Sequence, residues 1–317
     1  MGDMKRVPLG NSGIDVTRLC LGTWNMSGQA GWGPEIDEAV SIIHHVLDTG
    51  GNFIDTANGY GDGLSERIVG KAVKGRRDQV VIATKMMQTE PENVAPTVEG
   101  SLRNLDTDYV DLYICHWPVK RLPMEPFFEE MVRLREAGTI RAIGVSNFDR
   151  GQLEFVMQYG VVSLQPPFSV LWRVPEELRA FCIENDIAIT PYSSLAQGLL
   201  TGRYTREAAM RAGGHHERNI LFSQELWPHA IEAASAVDVV ADRLGRTSAE
   251  VALAWVLNTP GITSALVGVS QPSQWDRNLD ALRLDLGRRD YDEIDAAGRA
   301  LWDRFGPDDN MWGWDPG

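Results

Sequence analysis

The stretch FIDTANGYGDG at residues 53–63 starts as an apolar run, ends that run on an aspartate and continues as a glycine-rich loop with a tyrosine. Taken alone, it is typical of a strand end followed by a turn. Similar β-branched runs recur along the chain and alternate with longer stretches of helical period, as in strand–helix units around a parallel sheet. Eight runs fit this pattern: TRLCLGT, GNFIDTA, QVVIATK, YVDLYICH, IRAIGVSN, VVSLQPP, IAITPYS and ITSALVGVS. They predict a closed α/β barrel.

Length and composition predict one domain that spans residues 1–317. Barrels of this class commonly reach this size as single units, and no linker or low-complexity stretch marks a boundary. The formal net charge of −14 argues against a general affinity for nucleic acid. No apolar run is long enough for a membrane span, and the N-terminal MGDMKRVPLG lacks the apolar core of a signal peptide. We therefore expect no membrane partner and a cytoplasmic location, while monomer and homo-oligomer both stay open.

Two segments lie outside the repeat. KRVPLGNSGIDVTR, at residues 5–18, has an N-S-G turn and predicts a short β-hairpin that plugs the bottom of the barrel. The chain after Arg288 predicts one further helix and then an aromatic tail, MWGWDPG.

The three cysteines, Cys20, Cys115 and Cys182, have apolar neighbours and no metal-ligand spacing. We interpret them as buried free thiols in a reducing compartment, and we expect no metal site.

Titratable residues close three successive strand runs. Asp55 ends the second run, Lys85 the third and His116 the fourth, while Tyr60 lies in the loop after Asp55. Each has an ordinary interpretation by itself: a helix cap, a solvated lysine, a capped loop histidine or a packing tyrosine. Barrels of this kind carry their chemistry at the C-terminal ends of the strands, so together these residues predict four titratable groups on one rim.

Several motifs resemble the aldo-keto reductase superfamily, and in particular its bacterial-type NAD(P)H-dependent oxidoreductases. They are FIDTANGY, ATK, ICHW, GVSNF, PYSSLAQGLLTGRY and VGVSQPSQWDRN, in order along nearly the whole chain. The resemblance implies a (β/α)8 TIM barrel with an N-terminal hairpin and a C-terminal helix and tail. It also implies reduction of carbonyls to alcohols with a nicotinamide cofactor, by a catalytic tetrad of Asp55, Tyr60, Lys85 and His116. The C-terminal motif is also similar to that of potassium-channel β subunits.

The chemistry of the four residues agrees with that implied role. A carbonyl that accepts hydride becomes an alkoxide and needs a proton. The pKa of a free tyrosine, near 10, is too high for easy proton transfer at neutral pH. We therefore expect Lys85 to lower the pKa of Tyr60, Asp55 to keep Lys85 charged and aimed, and His116 to donate to the substrate oxygen.

The cofactor-binding residues follow from the resemblance. In the family, the positions of Ser146, Asn147 and Gln165 bind the nicotinamide carboxamide, and that of Tyr192 stacks on its ring. The full set is Gly22, Thr23, Trp24, Ser146, Asn147, Gln165, Tyr192, Ser193, Leu195, Gln197, Gly198, Arg203, Arg218, Gly268, Ser270, Gln274 and Asn278. The Rossmann fingerprint G-x-G-x-x-G does not open a strand–helix unit near the N-terminus, so the Rossmann mode of binding is not expected.

The choice between NADP and NAD rests on the loop before the last barrel helix. Many relatives carry there a lysine or arginine that pairs with the 2′-phosphate of NADP, but residues 268–271 are GVSQ and the next cation is Arg277. That loss favours NAD. However, Ser270, Gln274 and Asn278 match the version of this motif found in the channel β subunits. That resemblance implies NADP binding without the lysine.

The insert TGRYTREAAMRAGGHHERNILF, at residues 201–222, offers positive charge in an acidic protein. It carries Arg203, Arg206, Arg211 and Arg218. A segment of this length is a functional lid or a solvated loop. Since the family folds it over the cofactor's diphosphate, we expect Arg203 and Arg218 to bind phosphate oxygens. The sequence therefore predicts NADP(H), with at most a modest preference over NAD(H).

The substrate side is marked by tryptophans. Trp24, Trp117, Trp172, Trp312 and Trp314 lie in loop regions that the family uses as pocket walls, although packing at a barrel rim explains them equally well. Just beyond His116, Lys120 and Arg121 are placed to reach hydroxyls. The prediction is a polar aldehyde or a sugar-like carbonyl.

Two alternatives remain open from the sequence. In a barrel lyase or aldolase, Lys85 would form a Schiff base with the substrate. In a regulatory protein like the channel β subunits, the fold would bind the cofactor tightly and turn over slowly.

Overall fold

A hairpin and eight parallel strands form the β-structure of the computed structural model, which describes residues 4–28, 33–204, 218–306 and 309–313. In the hairpin, β1 (Arg6–Pro8) pairs antiparallel with β2 (Asp15–Thr17). The parallel strands are β3 (Leu19–Gly22), β4 (Phe53–Asp55), β5 (Val81–Met86), β6 (Val110–Cys115), β7 (Ile140–Ser146), β8 (Val161–Gln165), β9 (Ala188–Ile189) and β10 (Ala265–Val267).

The parallel strands close into a barrel. Their order follows the chain from β3 to β9, and β10 pairs with β3. The two ends of the sheet meet where Thr263 N donates to Ile189 O at 2.9 Å and Leu266 N donates to Pro191 O at 2.9 Å. The predicted (β/α)8 barrel with an N-terminal β-hairpin is therefore confirmed.

Helices surround the barrel. They are α1 (Ile36–Asp48), α2 (Leu64–Val73), α3 (Val94–Leu105), α4 (Met124–Glu136), α5 (Arg150–Val156), α6 (Glu176–Glu184), α7 (Trp227–Leu244), α8 (Ser248–Asn258), α9 (Pro272–Ala281) and α10 (Arg288–Trp302). Local chemistry explains where several begin. Ahead of α8, the Thr247 side chain accepts from the Glu250 backbone and the Glu250 carboxylate accepts from the Thr247 backbone, which forms a capping box.

Helices α7 and α10 contact each other outside the strand–helix repeat. Arg243 of α7 donates to Asp290 of α10 at 2.7 Å and to Glu293 at 2.8 Å. The predicted helix after Arg288 is confirmed as α10. Two helices, α7 and α8, lie between β9 and β10, so one of them is additional to the strand–helix repeat.

The hairpin closes the bottom of the barrel. Leu9, Ile14 and Val16 are 0–4% exposed and pack with interior residues at the N-terminal ends of the strands, among them Phe53 and Val81. A second, larger apolar cluster fills the space between the barrel and the helices. The hairpin therefore seals one end of the barrel with apolar side chains.

The three cysteines are buried free thiols, as predicted. Burial raises the pKa of each thiol, to about 12 for Cys182, so the reactive thiolate is disfavoured. Within the described part of the chain, the helices are too short or too polar to cross a membrane.

We expect Gly10→Ala to lower the free energy of unfolding more than Gly13→Ala does. Both glycines have positive φ, +56° and +72°, so alanine costs about 1–2 kcal/mol at either position. A Cβ at Gly10 would also lie 2.4 Å from Val162 O and 2.6 Å from Asp186 O, whereas at Gly13 no heavy atom comes within 4 Å. Urea unfolding of both variants measures the difference. Equal losses of unfolding free energy in the two variants would show that the close contact of Gly10 with the barrel does not affect stability.

Candidate active site

Neighbouring strands bring the predicted tetrad together. Asp55 is the last residue of β4, Lys85 lies near the end of β5 and His116 directly follows β6. Since β4, β5 and β6 are adjacent and parallel, these three ends meet at one rim. Tyr60 reaches the same rim from the loop after β4.

The glycines of that loop let it lie close to the first strand–helix connection. Gly61 has φ +62°, and a Cβ there would lie 2.2 Å from Ser27 O, so only glycine fits. The turn that precedes it is held by Tyr60 N, which donates to Ala57 O at 3.1 Å. The close approach of Gly61 to Ser27 fixes the position of the neighbouring Tyr60 backbone.

A buried ion pair forms the base of the site. Lys85 is 0% exposed, and its Nζ donates to Asp55 Oδ1 at 2.6 Å and to Thr56 O at 2.7 Å. The third donor contact of Nζ is the Tyr60 hydroxyl at 3.3 Å. The three protons of the ammonium therefore have three partners, one of which is the phenol.

Burial and charge act in opposite directions on the ion pair. Burial raises the pKa of Asp55, while the charge and hydrogen bonds of Lys85 and the hydrogen bond from Gln165 act to lower it. Burial acts to lower the pKa of Lys85, but Asp55 and Tyr60 outweigh it, and that pKa is raised. The ammonium is therefore kept charged at neutral pH.

The expected lowering of the Tyr60 pKa is wrong for this state of the protein. Burial is the largest influence and raises the pKa of Tyr60; Lys85 acts to lower it, and Asp55 acts to raise it. The net shift in the pKa is upward because the loss of hydration destabilises the phenolate by more than the nearby ammonium stabilises it. Tyr60 therefore carries its proton at neutral pH.

His116 is neutral in the folded protein. Burial and the charge of Lys85 lower its pKa to about 3. Its ring lies edge-on to that of Tyr60, with ring centroids 5.9 Å apart and an interplanar angle of 74°. A neutral imidazole keeps one N–H, so His116 is a hydrogen-bond donor next to the phenol.

Gln165 completes the surroundings of the ion pair. Its Nε2 donates to Asp55 Oδ2 at 2.8 Å, so each carboxylate oxygen of Asp55 has a partner. The predicted role of Gln165 is contact with a carboxamide. The structure adds a contact that the sequence did not indicate: Gln165 orients Asp55.

Asn147 joins the next strand ends to the tetrad. It has φ +62°, which asparagine tolerates, and its Nδ2 donates to His116 O at 2.9 Å and to Ser146 Oγ at 2.9 Å. Its Oδ1 accepts from the Tyr192 hydroxyl at 2.7 Å. The predicted carboxamide-binding residues and the predicted stacking tyrosine thus form one connected network.

Trp312 of the C-terminal tail closes that network from outside the barrel. Its indole N–H donates to the Tyr192 hydroxyl at 2.9 Å, and the two rings are stacked at 6.3 Å with an angle of 14°. Trp24 and Trp117 are half-buried in the loops after β3 and β6.

Trp172 has a packing position. It is 4% exposed and contacts Trp302 and Phe305 at the end of α10, with ring centroids 5.3 Å and 4.7 Å away. The suggestion that Trp172 lines an open pocket is therefore not supported by its burial. Trp314 lies outside the described residues.

The loop after β10 lies beside the loop after β3. Asn25 donates through Nδ2 to Val269 O at 2.9 Å, and Ser270 N donates to Gln274 Oε1 at 2.6 Å. Asn278 is 7% exposed on α9. The sequence analysis did not identify Asn25 as a site residue, although it directly follows Trp24. Its Oδ1 is buried and has no hydrogen-bond partner.

The other predicted cofactor residues differ in exposure. Gly22 is half-buried, whereas Thr23 is fully buried and donates through Oγ1 to Asp55 O at 2.9 Å, a contact that holds two strand ends together. Ser193, Leu195, Gln197 and Gly198 lie in and before the 3₁₀ segment Ala196–Thr201 and are half-buried. Gln197 Oε1 is buried without a partner.

Of the four arginines of the insert, the structure describes the two nearest its ends. Arg203 and Arg218 are exposed, and Arg206 and Arg211 lie outside the described residues. Lys120 and Arg121 are also exposed, beyond His116. Across the described ranges there is no group of three His, Cys, Asp or Glu side chains with the geometry of a metal site.

Comparisons with known proteins agree with this architecture. The model of the Aldo/keto reductase family matches residues 18–299. YhdN, an aldo-keto reductase of Bacillus subtilis (strain 168), is 35% identical over 308 residues, which cover 92% of this chain and 93% of YhdN. The NADH-specific methylglyoxal reductase of Escherichia coli (strain K12) is 34% identical, with 90% of this chain and 96% of that protein covered. A probable voltage-gated potassium channel subunit beta of Arabidopsis thaliana is 30% identical, with 86% and 90% covered.

Solved structures share the fold at nearly full length. A glycerol dehydrogenase from Gluconobacter oxydans superposes with a TM-score of 0.85 at 27% identity, covering 96% of this chain and 98% of that one. An aldo/keto reductase from Klebsiella pneumoniae in complex with NADP and acetate has a TM-score of 0.77 at 27% identity, with 98% and 99% covered. The two resemblances drawn from the sequence are confirmed.

We expect acid to destabilise the wild-type protein more than the His116→Gln variant. The pKa of His116 is about 3 in the folded protein and ordinary in the unfolded chain, so only the unfolded chain takes up this proton between about pH 6.5 and pH 3. Stability is therefore lost as the pH falls through that window. Urea unfolding between about pH 7 and pH 4 measures the slope, with Tyr60→Phe, which keeps the imidazole, as the control. Equal slopes in wild type and His116→Gln would contradict the assignment.

Proposed function

Because the chain belongs to the aldo/keto reductase family, we propose that it reduces a polar aldehyde or ketone to the alcohol with NADPH, as one catalytic domain. The observation that carries the proposal is the Tyr60 hydroxyl, held 3.3 Å from the Nζ of a fully buried lysine. Lys85 is itself paired with Asp55 at 2.6 Å. Apolar packing often stabilises a fold as well as a buried ion pair does, so a chemical role is the better explanation for this pair.

The reduced nicotinamide, when bound, supplies the hydride. Tyr60 holds the proton that the carbonyl oxygen needs as it gains negative charge. When the phenol gives up that proton, the Lys85 ammonium stabilises the phenolate, and Asp55 and Thr56 O keep the ammonium in place. His116, which is neutral and lies next to Tyr60, donates a second hydrogen bond to the carbonyl oxygen of the substrate.

The residues around the rim fit a nicotinamide dinucleotide. Asn25 Oδ1 and Gln197 Oε1 are buried acceptors without partners, and the ribose hydroxyls and amino groups of the dinucleotide are donors. Ser270, which accepts from Asn25 Nδ2 at 3.4 Å, is proposed to bind the adenosine end together with Gln274 and Asn278. Ser146, Asn147 and Tyr192, whose network reaches His116 O, are proposed to bind the nicotinamide end.

Relatives support both forms of the cofactor. The Klebsiella pneumoniae structure contains NADP, and the Escherichia coli relative is named as NADH-specific. The loop at Gly268 and Ser270 has no cation for a 2′-phosphate. NADP(H), with at most a modest preference over NAD(H), is therefore proposed, and the assignment of Arg203 and Arg218 to the diphosphate stays a prediction.

The substrate is proposed to be small and polar. One relative is named as a methylglyoxal reductase and one structural neighbour as a glycerol dehydrogenase, and both compounds carry oxygen on neighbouring carbons. Half-buried Trp24, Trp117 and Trp312 supply flat walls at the rim, and exposed Lys120 and Arg121 supply charge beyond it.

The lyase alternative conflicts with the state of Lys85. A Schiff base needs a neutral, accessible amine. The pKa of Lys85 is raised, and its ammonium already has three partners. The regulatory alternative has support in the similarity to the Arabidopsis thaliana channel subunit, and rapid oxidation of NADPH by simple aldehydes would decide for an enzyme.

Tyr60→Phe is expected to lower kcat by about 100-fold to 10,000-fold, because it removes the proton donor. Cofactor affinity should stay near the wild-type value, since the ring is kept. Stopped-flow reduction of an aldehyde together with fluorescence titration of NADPH separates the two effects. Near-normal reduction by this variant would remove Tyr60 from the proton transfer.

The dissociation constant for NADPH is expected to be only modestly below that for NADH. Neutral donors at Ser270 and Gln274 stand where many relatives have a cation, and a neutral hydrogen bond discriminates less than an ion pair. Quenching of the protein's fluorescence by each reduced cofactor gives both constants. An NADH affinity about tenfold tighter, or 1.4 kcal/mol, would show that the missing cation dominates.

A further inference from the structure

Ser65, in the first turn of α2, contacts both ends of the loop that runs from Thr56 to Tyr60. It is fully buried, and its backbone N–H donates to Tyr60 O at 3.2 Å. Its hydroxyl accepts a hydrogen bond from Thr56 Oγ1 at 2.8 Å. The same loop supplies two of the three partners of Lys85 Nζ, which are Thr56 O and the Tyr60 hydroxyl. One residue outside the tetrad therefore holds both ends of the loop on which the lysine contacts depend.

The Ser65 hydroxyl belongs to a buried chain of three hydroxyls with a defined direction. Thr23 Oγ1 donates to Asp55 O at 2.9 Å, and Thr56 Oγ1 donates to Ser65 Oγ. The proton of Ser65 is then left for Thr23, whose Oγ1 and O lie 2.6 Å and 3.1 Å from Ser65 Oγ. Because each hydroxyl has one proton to donate, the chain connects the end of β4 to Thr56 with each proton accounted for.

The next residue, Glu66, holds the start of α2 against β5. It is fully buried, its Oε1 accepts from Thr84 Oγ1 at 2.6 Å, and its Oε2 accepts from Asn104 Nδ2 at 2.9 Å. Thr84 directly precedes Lys85 in β5. The turn that carries Ser65 is therefore tied to the strand of the lysine as well as to the loop of the tyrosine.

The contact between Lys85 and Tyr60 is the one that this arrangement controls. The ammonium lies 2.6 Å from Asp55 and 2.7 Å from Thr56 O, but 3.3 Å from the Tyr60 hydroxyl, which is near the upper limit for a hydrogen bond. The attraction between the ammonium and a forming phenolate weakens with distance. A small displacement of the loop away from the lysine would therefore reduce the help that the lysine gives to proton transfer.

We propose that Ser65 is a positioning residue of the reductase, which holds Thr56 and Tyr60 so that the phenol stays within reach of Lys85. The inference rests on the proposed reductase function and deepens it. A serine that served only the packing of α2 would contribute to stability and leave the chemical step unchanged. The experiment separates these two roles.

Ser65→Ala removes the hydroxyl and keeps the backbone contact with Tyr60. Single-turnover reduction of methylglyoxal by the NADPH complex should become about tenfold slower, because small displacements of a reacting group cause large losses in rate. KM and the dissociation constant for NADPH should change by less than about twofold. The control is Ser101→Ala, the same change at a buried serine of α3 whose hydroxyl contacts Tyr113 at 2.9 Å. It should keep the wild-type rate.

Equal rate losses in Ser65→Ala and Ser101→Ala would overturn the proposal, because any buried serine would then have the same effect. An unchanged rate in Ser65→Ala would also overturn it. So would a loss confined to NADPH affinity, since Ser65 would then act on cofactor binding through Thr23.

Thr56→Val tests the same contact from the other side. It keeps the shape of the side chain and the carbonyl that Lys85 uses, but removes the donor to Ser65. Its rate loss should resemble that of Ser65→Ala, and Thr56→Ser, which keeps a hydroxyl, should lose less. In the double variant the two losses should not add, since both substitutions remove one contact. Additive losses would contradict the proposal. Circular dichroism checks folding, and the two Thr56 variants decide the question if Ser65→Ala does not fold.

A titration without turnover keeps this proposal separate from the reductase function. The protein is labelled with 3-fluorotyrosine, and the fluorine NMR resonance of Tyr60 is identified as the one missing from Tyr60→Phe. Lys85 acts to lower the pKa of Tyr60, so the pKa should be higher in Ser65→Ala, where the phenol is held less closely. Ser101→Ala should leave it at the wild-type value.

The two measurements fail in different ways. If the wild type reduces no aldehyde, the reductase proposal fails, and a raised pKa of Tyr60 in Ser65→Ala would still show that Ser65 positions the phenol. If the wild type is an active reductase but the pKa of Tyr60 in Ser65→Ala is unchanged or lower, the positioning role of Ser65 is rejected and the reductase function stands.

Discussion

The contact on which the candidate site depends is the buried ion pair between Asp55 and Lys85, 2.6 Å apart. Two charges removed from water destabilise the fold unless their remaining hydrogen-bonding capacity is met. Here it is met by Thr56 O and Tyr60 on the lysine and by Gln165 on the aspartate. Removal of any partner leaves a buried charge less well satisfied, so the same contacts that keep the barrel rim folded also position Tyr60.

The barrel makes this arrangement possible by separating apolar from polar interior. At the bottom, Leu9, Ile14 and Val16 of the hairpin pack on the strand starts and exclude water. At the top, parallel neighbours bring their last residues to one edge, so groups about thirty residues apart in the chain come within hydrogen-bonding distance. The Asn147 network then extends the rim to Tyr192 and to Trp312 of the tail. The candidate catalytic residues and the network that leads to the tail are thus parts of one connected edge.

Tyr60 illustrates how burial and charge compete. The sequence places a lysine near it and so predicts a lowered pKa, which is the correct sign for the contribution of Lys85 alone. The net pKa is raised because the loop also removes the phenol from water, and desolvation is the larger effect. A proton held until the substrate oxygen develops charge suits the reducing direction. The electrostatic help of Lys85 is then exerted on the phenolate that forms during transfer, not on the resting phenol.

By itself, the sequence determined the barrel, the hairpin, the C-terminal helix and the family, because hydrophobic periodicity and strand-end residue types are local properties of the chain. It also identified Asp55, Tyr60, Lys85 and His116, since each closes or follows a strand. Only the tertiary structure decided which partners these groups meet: Gln165 on Asp55, Trp172 packed against α10, and Asn25 under the loop at Ser270. These contacts join residues up to hundreds of positions apart, and pKa shifts depend on their burial. A local sequence pattern specifies neither the distances between residues far apart in the chain nor the loss of water around a side chain.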